Sequence, residues 1–405
     1  MSSLLGKLGL LGALYFSQGL PFGFFTQGLP VLLRQRGFGL AEIGLSSLLA
    51  LPWALKWLWA PLVDRWHWPV FGRRKSWILP LQLTTIAILV VLAVLGDAAS
   101  MQLWMAAILL LNLLAATQDI ATDGLAVEVL RDRERGLANG IQVAGYRLGM
   151  IFGGGALLIW YEALGSRGTF LAMAALTALA SLPLLRLREP GDVVSFSQRP
   201  RMRHWLRRPG AGQVVLLLVA YKMGDAFATG MLRPFLADRG LSLAEVGWLL
   251  GTVGFVAGLL GALTGGALVN RLGRKRALLV FGLLQAATVA GYACLAYASF
   301  DKLALYALCG AEHFAGGMAT AALFTCMMDW SSEQAGGTDY TVQASAVVLA
   351  TGAASALAGF SAQALGYFAH FCLASVLALG ALLVVQVCFP SEGLVRRLRE
   401  QEVAA

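Results

Sequence analysis

Residues 36–44 read RGFGLAEIG, and residues 239–247 read RGLSLAEVG. A second pair follows in the same order, FGRRK at 71–75 and LGRKR at 272–276. Two motifs repeated in order along a 405-residue chain mark an internal duplication, one structural unit used twice. In each half the two motifs are separated by an apolar run, so the duplicated unit is to be sought in a membrane.

Composition agrees. The chain is 58% hydrophobic and 13% charged, with a mean hydropathy of +0.71, whereas a soluble domain carries roughly 25% charged residues. Apolar runs occur at about 8–33, 41–63, 76–95, 101–125, 138–161, 168–185, 213–236, 243–269, 277–299, 302–328, 342–368 and 371–389. A run of about 20 residues crosses the hydrocarbon, and with no water there to satisfy its backbone it must be helical. The first run is expected to be a span and not a cleaved leader, because it is long and holds Pro21 and Pro30. The polar stretch around 186–212 divides the chain. The expected fold is an all-α integral membrane protein: twelve transmembrane helices in two pseudo-symmetric six-helix bundles, 1–186 and 213–405, joined by a linker at 187–212.

The net charge of +9 would suit a nucleic-acid binder until it is placed on this topology. Basic residues crowd into alternate inter-span segments: Arg73–Lys75, Arg131–Arg135, Arg186–Arg208, Arg271–Arg276 and Arg396–Arg399. The other segments hold only Arg34, Arg36, Arg167, Arg239 and Lys302. The bias puts both termini in the cytoplasm and argues against nucleic acid as a partner. Cys294, Cys309, Cys326, Cys372 and Cys388 all fall in spans without metal-ligand spacing and read as packing residues. The four histidines are scattered, so no metal and no cofactor is expected. Neither a phosphate-binding loop nor a nucleophile–base set is present, which speaks against an ATP-driven pump and against a membrane enzyme. A non-transporting sensor would not need the duplicated loops. The class that remains is a secondary transporter driven by an ion gradient, with a small-molecule solute and the lipid bilayer as partners.

Charges inside the spans carry the chemistry, because each costs at least ~2.5–3.5 kcal/mol at mid-membrane and so faces a partner or a cavity. In the run Val214–Leu232, YKMGDAFA at 221–228 places Lys222 and Asp225 three apart on one helix face, spaced to pair. The fourth run holds Asp119 and Asp123 one turn apart, next to Gln118. Two such carboxylates resist joint ionisation, which suits proton coupling. Lys56 and Arg147 are their expected cationic partners. Glu312 lies at mid-depth in the tenth run beside His313, a candidate proton or substrate site next to an expected packing histidine. Gln18, Gln27, Trp53 and Trp57 offer amides and aromatic faces suited to a solute with rings or sugars, and Pro21, Pro30 and Pro52 are expected to bend the first two helices.

The loop APLVDRWHWPVFGRRKSW (60–77) ends a helix with Asp64 and opens the next with Gly72, Arg73, Arg74 and Lys75. Its counterpart GGALVNRLGRKRAL (265–278) carries Asn270, Arg271, Gly273 and Arg274. The pattern resembles the signature loop of the major facilitator superfamily. Carboxylate and guanidinium groups here could bind helix ends and bias one conformation. Simple anchoring by positive charge is the plainer reading, and recurrence at matched positions favours a gate. With Asn270 in place of an acid, the first copy is expected to carry the stronger latch.

Six segments extend the resemblance: ALYFSQGLPFGFFTQGLP (13–30), LPWALKWLWAPLVDR (51–65), ATQDIATDG (116–124), ERGLANGIQVAGYRLGM (134–150), LVAYKMGDAFA (218–228) and AEHFAGGMATAALF (311–324). Together they are similar to the AmpG-type permeases, which comprise muropeptide importers and a shorter RhtX/FptX-type branch of ferri-siderophore importers. That resemblance implies a proton-coupled importer of the bacterial inner membrane. Muropeptide permeases often carry two further spans, and here SEGLVRRLREQEVAA follows the twelfth run. Residues 229–255 are also more similar to the siderophore branch. The expected solute is therefore a ferri-siderophore, with an anhydro-muropeptide as the alternative.

Overall fold

The computed structural model describes residues 3–35, 46–68, 70–96, 100–187, 189, 205–297 and 302–399. The first copy of the opening repeat, 36–44, and most of the linker at 187–212 lie outside them.

The described residues are built from helices. Their ranges are α1 Leu4–Gly23, α2 Leu29–Gln35, α3 Leu51–Leu55, α4 Ala60–Arg65, α5 Lys75–Leu95, α6 Met101–Val129, α7 Asp132–Met150 and α8 Leu157–Leu185 in the first half. In the second they are α9 Ala211–Thr229, α10 Leu232–Asp238, α11 Leu243–Trp248, α12 Gly254–Leu272, α13 Arg274–Tyr297, α14 Lys302–Asp329, α15 Gly336–Cys388 and α16 Glu392–Arg399. Among the described residues, eight helical stretches are long and apolar enough to cross a membrane by length and composition alone. One of them, α15, has 53 residues and turns at Gly366 (φ 75°), so it supplies two spans. Gly165 (φ 65°) likewise separates the fifth span from the sixth inside α8.

Three further spans escape a hydropathy criterion for physical reasons. The fifth opens with the charged DRER of α7 and carries Arg147. The tenth, α14, carries Glu312 and His313. The second is broken: a tight turn at Ser46–Ala50, α3, a second tight turn at Lys56–Leu58, then α4. Pro52 and Pro61 sit in the first turns of α3 and α4, where a missing N–H costs nothing. The break places Lys56 on an irregular segment and buries it. The first span keeps Pro21 within α1 and widens to a π turn at Phe24–Gly28 just before Pro30, so prolines that cannot donate a helix bond mark its irregular stretch.

Contacts group the chain into two compact units. The first comprises Met1–Leu130, Ala144–Met202 and Glu333–Thr341; the second comprises Arg131–Val143, Arg203–Ser332 and Val342–Ala405. Each unit thus takes a short segment from the other half of the sequence. In the first unit Leu20, Phe24, Leu92, Trp104 and Phe170 form one apolar core. α1 and the fifth span meet backbone to backbone there: a Cβ at Gly153 would lie 1.9 Å from the Leu20 carbonyl oxygen, so only glycine allows the approach. The second unit packs Phe227, Phe235, Tyr292 and Phe371. Large exposed apolar side chains such as Val94, Leu179, Leu383 and Val387 suit helices bathed in lipid.

Candidate transport and gate sites

The broken second span and α6 build the polar centre of the first unit. Lys56 Nζ pairs with Asp119 Oδ2, and both are buried. The ammonium also stands 5.7 Å from the Trp53 ring centroid. One turn along α6, Asp123 Oδ1 accepts a hydrogen bond from Tyr15 Oη at 2.7 Å. The two carboxylates therefore have different partners, one a cation and one a phenol. Around them Gln18 Nε2 donates to Thr122 Oγ1 at 3.1 Å, and Gln118 Nε2 and Gln82 Nε2 converge on Ser17 Oγ. Phe22, Trp53 and Tyr146 pack edge to face or tilted, with Trp53 Nε1 donating to Asn112 Oδ1 at 3.0 Å. Arg147 is half-buried next to Tyr146.

Two expected lining residues stand apart from this cluster. Gln27 lies on the π turn, its side chain occupying the space where a Cβ of Gly154 would be. Trp57 is half-buried, while its neighbour Trp59 donates to Thr117 Oγ1 at 3.1 Å. Trp53 and Trp57 would share one face of a regular helix, and the tight turn at Lys56–Leu58 interrupts that periodicity.

In the second unit Lys222 Nζ lies 2.8 Å from Asp225 Oδ2 on α9 and 3.3 Å from Thr320 Oγ1 on α14. On the same face of α14, Glu312 is buried, with Oε2 2.7 Å from His313 Nδ1. His313 Nδ1 also meets the Cys309 carbonyl at 3.0 Å, and its ring packs against Gly254 of α12.

The paired loops form two ion-pair networks. In the first, Asp64 Oδ1 stands 2.6 Å from Arg74 Nη1 and 3.4 Å from Arg73 Nη2. The Asp64–Arg74 contact is one of charge, since the two atoms are not aligned as a hydrogen bond. Asp64 Oδ2 accepts the backbone N–H of Thr338 at 2.6 Å. Glu128 at the end of α6 accepts from Arg73 Nη1 at 2.9 Å and Arg74 Nη2 at 2.6 Å. Arg73 Nη2 donates to the Gln334 carbonyl at 2.5 Å. Glu189 receives the backbone N–H groups of Arg74 and Lys75 at 2.9 and 2.7 Å, where the open end of α5 favours an anion. Gly72 supplies the turn at φ 88°. Burial, and then the neighbouring Arg74 charge, push Arg73 down to about 10, so it remains a cation at neutral pH. Burial also opposes the Arg74 charge, but Glu128 and then Asp64 outweigh it and raise its pKa.

In the second network Asp329 at the end of α14 takes Arg135 Nη1 at 2.9 Å and Arg274 Nε at 2.6 Å. Asn270 accepts from Arg274 Nη1 at 2.5 Å and donates to the Arg133 carbonyl at 2.6 Å. Gly273 (φ 79°) repeats the turn, and Arg271 is exposed. Sequence reading singled out neither Glu128, Glu189, Tyr15 nor Asp329. Glu128 and Asp329 could have been found by extending the duplication one helix further, since each is the acidic residue closing the fourth span of its half.

Comparison with known proteins places this architecture. A family model described as Major Facilitator Superfamily matches residues 214–402, and one described as Acetyl-coenzyme A transporter 1 matches residues 7–160. The structure is similar to the fucose transporter FucP, with a TM-score of 0.69 at 13% identity, covering 95% of this chain and 99% of that one. It is also similar to the human organic anion transporter MFSD10, with a TM-score of 0.70 at 15% identity, covering 95% and 100%. The fold is that of a major facilitator transporter. Within that class, the Anhydromuropeptide permease of Escherichia coli K12 is 33% identical over 394 residues, 94% of this chain and 79% of the relative. A Putative transporter AmpG 4 of Rickettsia conorii is 26% identical over 384 residues, 91% and 92%. The chain belongs to the AmpG-type permease family of the major facilitator superfamily. Those relatives fit the muropeptide alternative better than the expected ferri-siderophore branch, which they do not support. The siderophore expectation leaned on chain length and one segment, and identity over 94% of the chain outweighs both.

Proposed function

We propose that this protein is an inner-membrane importer of anhydro-muropeptides, driven by protons, with both termini in the cytoplasm. The observation that carries the reading is the 33% identity to the E. coli anhydromuropeptide permease along 94% of the chain. The site is consistent with such a solute, which joins sugar rings to a short peptide with carboxylates. Trp53, Phe22 and Tyr146 supply aromatic faces, and Gln18 and Asn112 supply amides. Lys56 is held by Asp119. A proton arriving on Asp119 frees the ammonium for a solute carboxylate, and the two events are thereby linked. Lys222, Asp225 and Glu312 offer a second polar surface. The Asp64 and Asn270 networks bias the exchange between inward- and outward-open states, as a gate does.

The test is uptake of labelled anhydro-muropeptide and of labelled ferri-siderophore into vesicles, with and without an imposed pH gradient. Muropeptide uptake that collapses with the gradient is the expected result. Accumulation of the siderophore alone overturns the solute, and uptake indifferent to the gradient overturns the coupling. Tags at either end should resist reagents added outside the cell; labelling of either overturns the orientation.

A further inference from the structure

The two copies of the gate loop differ in length. Between Asn270 and the turn glycine Gly273 the second copy has only Arg271 and Leu272, whereas the first runs from Arg65 to Phe71 before Gly72. Matching Arg65 to Arg271 and Phe71 to Leu272 leaves WHWPV, 66–70, as an insertion in the first copy. The turn does not require it, because Gly273 takes nearly the same φ as Gly72 without it, 79° against 88°. Trp66, Trp68 and Val70 of the insertion are exposed, as is the adjoining Phe71, and Val70 is exposed by 90%. Large apolar side chains gathered at a surface mark a contact with something apolar. The cluster is held in shape by its own bonds. Trp77 Nε1 donates to the Trp66 carbonyl at 2.6 Å, the Trp68 N–H to Ser76 Oγ at 3.0 Å, and the Phe71 N–H to the Trp68 carbonyl at 3.1 Å. The Trp66 ring meets Trp68 edge to face at 5.0 Å and Trp77 at 6.0 Å.

The second span shows what covers this cluster. Its exposed leucines, Leu48, Leu51, Leu55, Leu58 and Leu62, recur every three or four residues, and Trp66 is the next step of the series. Ala60, Val63 and Asp64 point the other way and are buried. The leucine stripe is the lipid face of the span, and the aromatic cluster continues that face just past the end of α4 at Arg65. At a span end the bilayer passes from hydrocarbon to headgroups. An indole, apolar in body with one polar N–H, suits that layer. The geometry points to the insertion as an interfacial anchor: Trp66, Trp68, Val70 and Phe71 lie in the headgroup layer of the bilayer and hold the first gate loop against it. The second loop, without the insertion, has no such anchor. Neither the solute nor the coupling ion enters into this, and either orientation of the chain leaves it unchanged.

Spin labels on the full-length protein test the anchor. The native cysteines are replaced by alanine, and the protein is reconstituted in vesicles of phosphatidylethanolamine and phosphatidylglycerol. One label is carried by Val70→Cys, where high exposure means that no packing is lost, and the reference label by Arg271→Cys, exposed in the loop without the insertion. Oxygen, which partitions into lipid, is expected to relax the Val70 label more than a water-soluble nickel complex does, and the order is expected to reverse at Arg271. Adding Trp66→Ala and Trp68→Ala to Val70→Cys is expected to shift that label towards the nickel response. Relaxation at Val70 dominated by nickel means that the loop stands in water, and overturns the anchor. Weak relaxation by both reagents means that protein covers the cluster, and overturns it as well; spin–spin coupling that rises with the ratio of protein to lipid would then identify a second copy as the cover. Equal oxygen-to-nickel ratios at the two labels would remove the insertion as the cause. Should the tryptophan variant fail to fold, the two single labels still decide.

Discussion

The loop after the second span and the loop after the eighth start from nearly the same residues, FGRRK and LGRKR, and end in different chemistry. In the first, Asp64 and Arg74 have side chains at 0% exposure, and a guanidinium is ringed by Asp64 and Glu128. In the second, Arg274 is 20% exposed and Asn270 lies at the surface. The acid at the end of the first unit's second span has no carboxylate equivalent in the second, where Asp329 holds both Arg135 and Arg274 and Asp132 adds a contact to Arg135 at 3.2 Å. A duplicated motif therefore preserves the turn, through Gly72 and Gly273, and the cation at the next helix start. The acid that answers the cation is free to move between helices, because any carboxylate reaching the same point serves equally well. The depth of burial then determines what each network is worth, since a deep pair is costly to break and an exposed one is screened by water.

The largest test of that contrast is Asp64→Ala. It leaves the fully buried Arg74 guanidinium with Glu128 as its one remaining carboxylate, so about 3 kcal/mol of stability should be lost, the low end of the cost of breaking a buried pair, read as a lowered midpoint of thermal unfolding in detergent. A loss no greater than that of Asn270→Ala would erase the difference between the two loops. Asp329→Asn comes next, because it weakens without removing two charged hydrogen bonds, a buried one to Arg135 and a partly buried one to Arg274; about 1.5–3 kcal/mol is expected by the same measurement. If it matched Asp64→Ala, burial would not be what separates the networks.

Smaller effects sharpen the shared part. Gly72→Ala and Gly273→Ala each force a side chain into a left-handed turn, at about 1–2 kcal/mol. Gly72 should lie at the upper end, because its Cβ would come within 2.7 Å of Glu189, whereas nothing lies within 4 Å of one at Gly273. Equal melting points for the two variants would remove Glu189 from the account. The smallest effect belongs to Asn270→Asp, which gives the second loop the acid of the first. In its exposed setting the new pair should change stability by less than about 1 kcal/mol. A gain of several kcal/mol would mean that residue identity, and not burial, makes the first network strong.

The relation between these loops was partly legible in the chain. The turn, the cations and the Asp64/Asn270 difference are written in consecutive residues. Glu128 and Glu189 reach the same point from residues far along the sequence, so local spacing did not reveal them. The weighing of the family's branches has a related reason: one segment and the chain's length point to the siderophore branch, whereas similarity along the whole chain fits the muropeptide branch better.

The sequence by itself determined the membrane class, the duplication, the alternation of basic segments and the pairing of Lys222 with Asp225. Each of these depends only on composition or on neighbours along one helix, whose 3.6-residue repeat places side chains three or four apart together. Only the tertiary structure decided that Lys56 would take Asp119 while Asp123 took Tyr15. A helix in lipid is apolar on its outer face and largely apolar on its inner one, so its sequence carries little sign of how it is rotated. The breaks at Pro52 and Pro61, the π turn at Phe24–Gly28 and the glycine contacts of α1 set those rotations, and through them the partners of every buried charge.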